Sequence, residues 1–326
     1  MSVIQERQDA IMPDKSLSVV VPIFNEEDSI ILLHNSLVDE LARIFDTFNL
    51  DGEIVYVDDG SADNSAEILA FLPASSIPVR VIALSRNFGK EAAIRAGLDF
   101  LTCEAALFMD GDGQHPVSMI STFVDLWIKE QYDVVYAVRK KRNDGFVKNF
   151  LIHVFYKIMN SGSKVHITAN AGDFRLLSSK ALQAVQTLKE REQFFKGLSL
   201  WVGFRQCAVP YTPTKRIAGH SKWSVLQLFA LSMTGLTSFS TSPLRTVMLF
   251  GAFLATLSFI YGFWLILQNI FFGGILGYSL LITAIVFFSS IQIVMIGILG
   301  EYVVSILREA KLRPSYIVDS FKHISQ

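Results

Sequence analysis

Short apolar runs alternate with segments of helical period over residues 17–138. The runs are LSVVVPIF (17–24), EIVYVDD (53–59), VRVIAL (79–84), AALFMD (105–110) and DVVYAV (133–138). Their centres are continuously apolar rather than alternating, as expected for strands covered on both faces. Between them, 28–45, 64–72, 91–101 and 116–129 place apolar residues at helical spacing. Repeated βα units of this kind predict an α/β fold, a doubly wound and mostly parallel sheet.

Beyond Arg245 the pattern changes. Residues 246–268 and 279–300 carry no charged side chain. Each would reach about 33 Å as a helix, enough to cross a hydrocarbon core of about 30 Å. Two transmembrane helices are therefore expected. Arg245 precedes the first, Arg308, Lys311, Arg313 and Lys322 follow the second, and the connection NIFFGGILGY is uncharged. The positive-inside rule then puts both termini in the cytoplasm and makes the chain a multi-pass protein of the inner membrane. Two further segments, Phe146–Met159 and Trp223–Phe239, are expected to lie along the membrane surface.

Composition agrees with a membrane segment: 51% of residues are hydrophobic and the mean hydropathy is +0.39. The net charge of -1 offers no general basic field, which argues against a nucleic-acid partner. Cys103 and Cys207 stand far apart, too few for a disulfide framework or zinc knuckle, and fit a reducing compartment. The first sixteen residues lack an apolar signal-peptide core, so the α/β portion is expected to stay in the cytosol.

In a parallel sheet, ligands bind beyond the carboxyl ends of the strands. Acidic and glycine-containing segments stand at those ends. The first run closes in Pro22-Ile23-Phe24-Asn25-Glu26-Glu27, the second in Asp58-Asp59-Gly60-Ser61, the fourth in Asp110-Gly111-Asp112-Gly113-Gln114-His115. Asp110 and Asp112 suit a hard divalent cation, Mg²⁺ or Mn²⁺, held by one or two carboxylates plus substrate phosphates; Gln114 adds or orients a ligand. Asp58 and Asp59 suit nucleoside hydroxyls or a base N–H, in a segment whose composition also makes a turn.

VPIFNEE (21–27), YVDDGSADNS (56–65), SRNFGKEAAIRAGLDF (85–100) and FMDGDGQHP (108–116) together resemble family 2 glycosyltransferases of the GT-A fold. GDFRLLS (172–178), RIAGHSKWS (216–224), TSFSTSPLR (237–245) and GEYVVSILREAKLRPSYIV (300–318) narrow the resemblance to the polyprenyl-phosphate type, the bactoprenol glucosyltransferases in particular. The family often reads DADLQ where this chain has Asp110-Gly111-Asp112-Gly113-Gln114; the carboxylates are kept. The resemblance implies an inverting transfer of glucose from UDP-glucose to undecaprenyl phosphate. It implies a nucleotide site lined by Pro22, Asn25, Glu26, Asp58 and Lys90, with Asp110, Asp112 and Gln114 at the metal. The corresponding division is a tail (1–16), a GT-A catalytic domain (17–222), a membrane-interface helix (223–245), a two-helix hairpin (246–300) and a cytoplasmic C-terminal segment (301–326). Another donor sugar, or a catalytically silent nucleotide-sugar-binding scaffold, are the alternatives, and self-association is left open.

A lipid phosphate is largely ionised at neutral pH, so it needs cations more than a base. Arg139, Arg175, Arg191, Arg216 and Lys222 are the expected acceptor-phosphate ligands. Asp173, in GDFRL, is expected to orient an arginine or assist the acceptor. His115 is the one histidine placed beside the acidic loop.

Overall fold

The computed structural model describes residues 15–73, 75–140, 171–188, 190, 194–212 and, apart from 252, 255, 258, 265–266, 268–270 and 272–277, residues 249–324. The chain divides into two compact units, residues 1–152, 165–224 and 313–326 in the first, 153–164 and 225–312 in the second. In the first, β1 (Ser16–Ile23), β2 (Asp51–Asp58), β3 (Val79–Leu84), β4 (Ala105–Phe108) and β5 (Val134–Arg139) follow the five apolar runs to within two residues at every end. The helices between them are α1 (Ile30–Phe48), α2 (Ser65–Ala70), α3 (Lys90–Asp99) and α4 (Met119–Ile128). Then come β6 (Ala171–Ser178), α5 (Ser179–Thr187), α6 (Phe195–Trp201) and β7 (Gln206–Tyr211).

The sheet has eight strands in the order β7-β5-β6-β4-β1-β2-β3-β8, where β8 is Val318–Ile324. Strands β4, β1, β2 and β3 pair in parallel, so their carboxyl ends share one edge. β6 is inserted between β4 and β5 and runs antiparallel to both. That reversal brings the start of β6, with Asp173, to the carboxyl end of β4. The central strands are buried on both faces: Val19, Val20, Val21, Ile54, Val55, Tyr56 and Val57 are wholly inaccessible. This is why the runs lack polar alternation. α1 covers one face through Ile30, Leu33, Leu37, Leu41 and Ile44, three or four residues apart. It ends at Asn49, whose left-handed backbone lets its N–H bond Phe45 O.

The C-terminal segment holds a feature the sequence reading did not anticipate. Residues 318–324 are not separate from the α/β unit but form β8, antiparallel on β3. Ser85 N donates to Ile317 O at 3.0 Å, Tyr316 Oη to Asp99 Oδ2 at 3.0 Å, and Phe321 meets Phe100 edge-on. The added strand covers an edge that would otherwise present unpaired backbone groups.

In the second unit, α7 (Tyr278–Ala310) runs 33 residues, longer than the expected 279–300. Residues 287–307 are long and apolar enough to cross a membrane, and none of that span is buried inside the protein. Leu281, Ile285, Phe287, Ile293, Val294, Ile296 and Leu299 are all exposed. Residues of the expected first span that are described are helical, among them 259–264. Gly251 lies so close to Met295 that a Cβ there would stand 2.7 Å from its Cε. The two apolar segments thus touch at this point, and of the two expected spans α7 alone is long and apolar enough to cross a membrane among the described residues. The surface segments 146–159 and 223–239 lie outside the described residues.

Candidate active site

The loops after β1, β2 and β3 are stitched together by side chains that accept from backbone amides. Asn25 adopts a left-handed backbone, φ 53°. Its amide donates to Ser61 Oγ at 3.0 Å, and its Oδ1 accepts from Ala62 N at 2.7 Å. Glu26 N donates to Ser65 Oγ at 2.8 Å, and Glu27 Oε2 accepts from Asn64 N at 3.0 Å. Asp58, buried, accepts from both the amide and the hydroxyl of Ser61. Ser29 Oγ donates to Gly111 O at 3.0 Å, tying the start of α1 to the acidic loop. Pro22 lies beneath that loop: a Cβ on Gly111 would stand 3.1 Å from Pro22 O and 2.5 Å from Ile23 Cδ1. Glycine is required there by close approach.

Asp59 has a different task from its neighbour. Its Oδ1 accepts from Phe88 N at 2.8 Å and its Oδ2 from Gly89 N at 2.9 Å. Burial pushes its carboxyl pKa up while those two bonds oppose the rise. Both oxygens are thus committed to the loop that delivers Lys90, the first residue of α3. Gly60, φ 64°, lets the β2 loop pass against Arg86, whose carbonyl carbon would be 2.4 Å from an added Cβ.

Lys90 joins the two halves of the sheet edge. Its ammonium lies 2.6 Å from Asp110 Oδ1 and also bonds Asp173 Oδ2. Burial works against its charge, but Asp110 and Asp173 outweigh it and hold the amine protonated well above its ordinary range. Burial would likewise raise Asp173, yet Lys196, Lys90 and Arg175 more than offset it and keep the carboxyl ionised far below the usual range. Lys196 Nζ stands 3.6 Å from Asp173 Oδ1.

The acidic loop is set by its neighbours. His115 is 5% exposed, stacks on Phe174 at 4.9 Å, and accepts on Nδ1 from Asp110 N at 3.2 Å. Burial lowers its pKa, consistent with a neutral ring whose bare Nδ1 accepts. Asp112 Oδ1 accepts from Gln114 N at 3.0 Å. Gln114 Oε1 accepts from Arg139 Nη2 at 3.0 Å, and Arg139 also bonds the Tyr211 hydroxyl.

The donor set suits a hard divalent cation in chemistry: Asp110 and Asp112 are half-buried carboxylates at a glycine-turned strand end. Among the described residues no cluster of three or more His, Cys, Asp or Glu forms a complete cage. Gln114 orients through Arg139, since its carbonyl oxygen is already engaged.

The expected acceptor cations divide three ways. Arg139 is half-buried at the acidic loop. Arg175 is completely buried and donates to Gly172 O, Lys196 O and Ser199 Oγ, so it braces α6 against β6. Arg191, Arg216 and Lys222 lie outside the described residues. Sequence reading missed two participants, Glu91 and Lys196. Glu91 stands one residue past Lys90, and its Oε2 accepts from Phe195 N at 2.9 Å. Lys196 sits in an apolar stretch, REQFFKGLSLW, where a lone lysine carries no motif.

Comparison with known proteins places this edge in context. Residues 18–186 match the model of glycosyl transferase family 2, and 242–306 that of the GtrB C-terminal hairpin. A bactoprenol glucosyl transferase of Shigella phage SfX is 39% identical over 309 residues, 94% of this chain and 99% of the relative. An uncharacterized glycosyltransferase of Synechocystis is 38% identical over 304 residues, 93% of this chain and 94% of the relative. Among solved structures, glucosyl-3-phosphoglycerate synthase of Mycobacterium tuberculosis aligns at 18% identity and TM-score 0.43, over 69% of this chain and 78% of that one.

Proposed function

This chain belongs to glycosyl transferase family 2, and from that premise we propose that it transfers glucose from UDP-glucose to undecaprenyl phosphate at the cytoplasmic face of the membrane, with inversion at the sugar carbon. The observation that carries the reading is the Lys90 bridge. It joins the acidic loop after β4 to Asp173 of β6, and it stands on a loop held by Asp59 of the β2 end. One ammonium thus links a cation-binding loop to the neighbouring strand that would face an acceptor. The choice of glucose and of the lipid rests on the bactoprenol glucosyl transferases that this chain resembles over more than nine-tenths of its length. The hairpin match and the exposed apolar surface of α7 support anchoring in the bilayer; the basic residues flanking the apolar segments favour both termini in the cytoplasm.

In this reading Pro22, Asn25, Glu26 and Asp58 rim the nucleoside pocket. Asp59 is reassigned from nucleoside contact to holding the 88–89 backbone. Asp110 and Asp112 hold Mg²⁺ or Mn²⁺, which when bound neutralises charge on the departing diphosphate. Lys90 steadies the diphosphate end and Asp173 aims it. Arg139 faces the acceptor, as would Arg191, Arg216 and Lys222, while Arg175 keeps α6 in place. The acceptor phosphate is already ionised at neutral pH, its second pKa being about 6. Asp173 therefore orients a lysine rather than removing a proton.

Purified full-length protein in lipid vesicles with undecaprenyl phosphate and a panel of nucleotide sugars tests the reading. Label should pass from UDP-glucose to the lipid, and a chelator should abolish transfer. Transfer from another nucleotide sugar alone would correct the donor; none from any would leave a silent binding scaffold.

A further inference from the structure

Lys196 occupies a position prepared with unusual care for a half-exposed lysine. Its helix, α6, is fixed at two backbone points by the side chains of Glu91 and Arg175. Glu91 Oε2 accepts from Phe195 N at 2.9 Å, and Arg175 Nη1 donates to Lys196 O at 3.2 Å and to Ser199 Oγ. Arg175 has no solvent exposure, and its guanidinium stands 5.4 Å from the Phe195 ring centroid. A main chain held this way leaves the side chain little freedom in where it starts.

The ammonium points at Asp173 without bonding it. The Nζ to Oδ1 distance is 3.6 Å, and that carboxylate oxygen has no hydrogen-bond partner among the described residues. The Lys196 side chain is 26% exposed against 8% for Asp173, so the lysine is the solvent-facing member. Along the edge the charges alternate: Asp110, Lys90, Asp173, Lys196. Lys90 is shared between two carboxylates. Lys196 closes this row as its solvent-facing cation in a partly dry cleft, where an anion is attracted more strongly than in water.

We infer that Lys196 receives the acceptor phosphate, as a binding residue for the nucleophile. The inference rests on the function proposed above. A deprotonated phosphate oxygen held by Lys196 forms the new bond to the sugar anomeric carbon. The bond from that carbon to the diphosphate oxygen breaks, its electron pair leaves on UDP, and no proton need be taken up.

The test uses the full-length protein in mixed micelles, with polyprenyl phosphate varied at saturating UDP-glucose and then the reverse. A charge-assisted hydrogen bond is worth about 1.5–3 kcal/mol, so Lys196→Met should raise the KM for the lipid phosphate by about tenfold or more. Lys196→Arg should recover most of that loss, and the KM for UDP-glucose should stay unchanged. If the methionine variant fails to fold, Lys196→Gln serves in the same assay. A fall in kcat with the lipid KM unchanged would make Lys196 only a counter-ion to Asp173 and overturn the inference. An equal rise in both KM values would overturn it as well. Wild-type protein that forms no glycolipid would overturn the functional reading itself, and this inference with it.

Discussion

Replacing Glu91 by glutamine should make the protein more stable at alkaline pH. Glu91 follows Lys90 on α3, and its half-buried carboxylate accepts from Phe195 N at 2.9 Å. Burial is the largest influence on it, Asp173 adds repulsion, and the Phe195 amide, Lys196 and Lys90 offset part of both, leaving its pKa raised from 4.5 to about 7. Because the folded-state value lies above the unfolded one, the folded protein holds this proton more tightly. The associated stability is complete below pH 4.5 and is lost as pH rises through about 7. The gap between those values corresponds to about 3 kcal/mol. Glutamine keeps an acceptor for Phe195 N and never ionises. The difference in stability, variant minus wild type, should therefore grow by about 2–3 kcal/mol between pH 5 and pH 8. In a domain of this size that is about 5 °C or more in Tm. Thermal unfolding in detergent across that pH range reads it directly. Parallel curves for the two proteins would refute the assignment of a neutral Glu91 at low pH.

Two further outcomes follow from the loop geometry. Asp59→Ala removes both acceptors of the Phe88 and Gly89 amides; hydrogen exchange in the peptide spanning them should quicken by about tenfold or more, one charge-assisted bond's worth. Unchanged exchange would return Asp59 to a nucleoside role. Gly60→Ala meets both a left-handed backbone and a carbon 2.4 Å away, so denaturant titration should show a loss of about 2 kcal/mol or more. A neutral substitution would mean the β2 and β3 loops separate readily.

The parallel half of the fold was legible because each strand is covered on both faces and so reads as an unbroken apolar run. That Asp110 and Asp112 stand on the loop at the β4 end was legible because the acidic, glycine-containing segment directly follows an apolar run. The antiparallel strands were harder. β6 pairs with strands some forty to seventy residues away, and β8 pairs with β3 across more than two hundred; local composition does not encode such partners. VDSFKHI spaces its apolar residues three apart rather than in alternation, so it carries no local strand signal. Site chemistry divided the same way. Asp58 and Asp59 are adjacent and alike in sequence, yet one faces its own turn and the other the loop after β3, a difference set by the alternation of side chains past a strand end. Arg175 was expected at the acceptor phosphate as one of the cations an ionised phosphate needs, whereas its guanidinium braces α6. The Lys90 bridge needed the third dimension, since 83 residues separate it from Asp173.

The central claim is that Asp110, Lys90 and Asp173 act as one charged unit in glycosyl transfer. A double-mutant cycle on glycolipid formation, with Asp110→Asn, Asp173→Asn and the pair, tests it. Each single change should slow turnover by about a hundredfold or more, and the double should fall no more than about tenfold below the slower single. Losses that simply multiply would mean the two carboxylates work independently and would contradict the account.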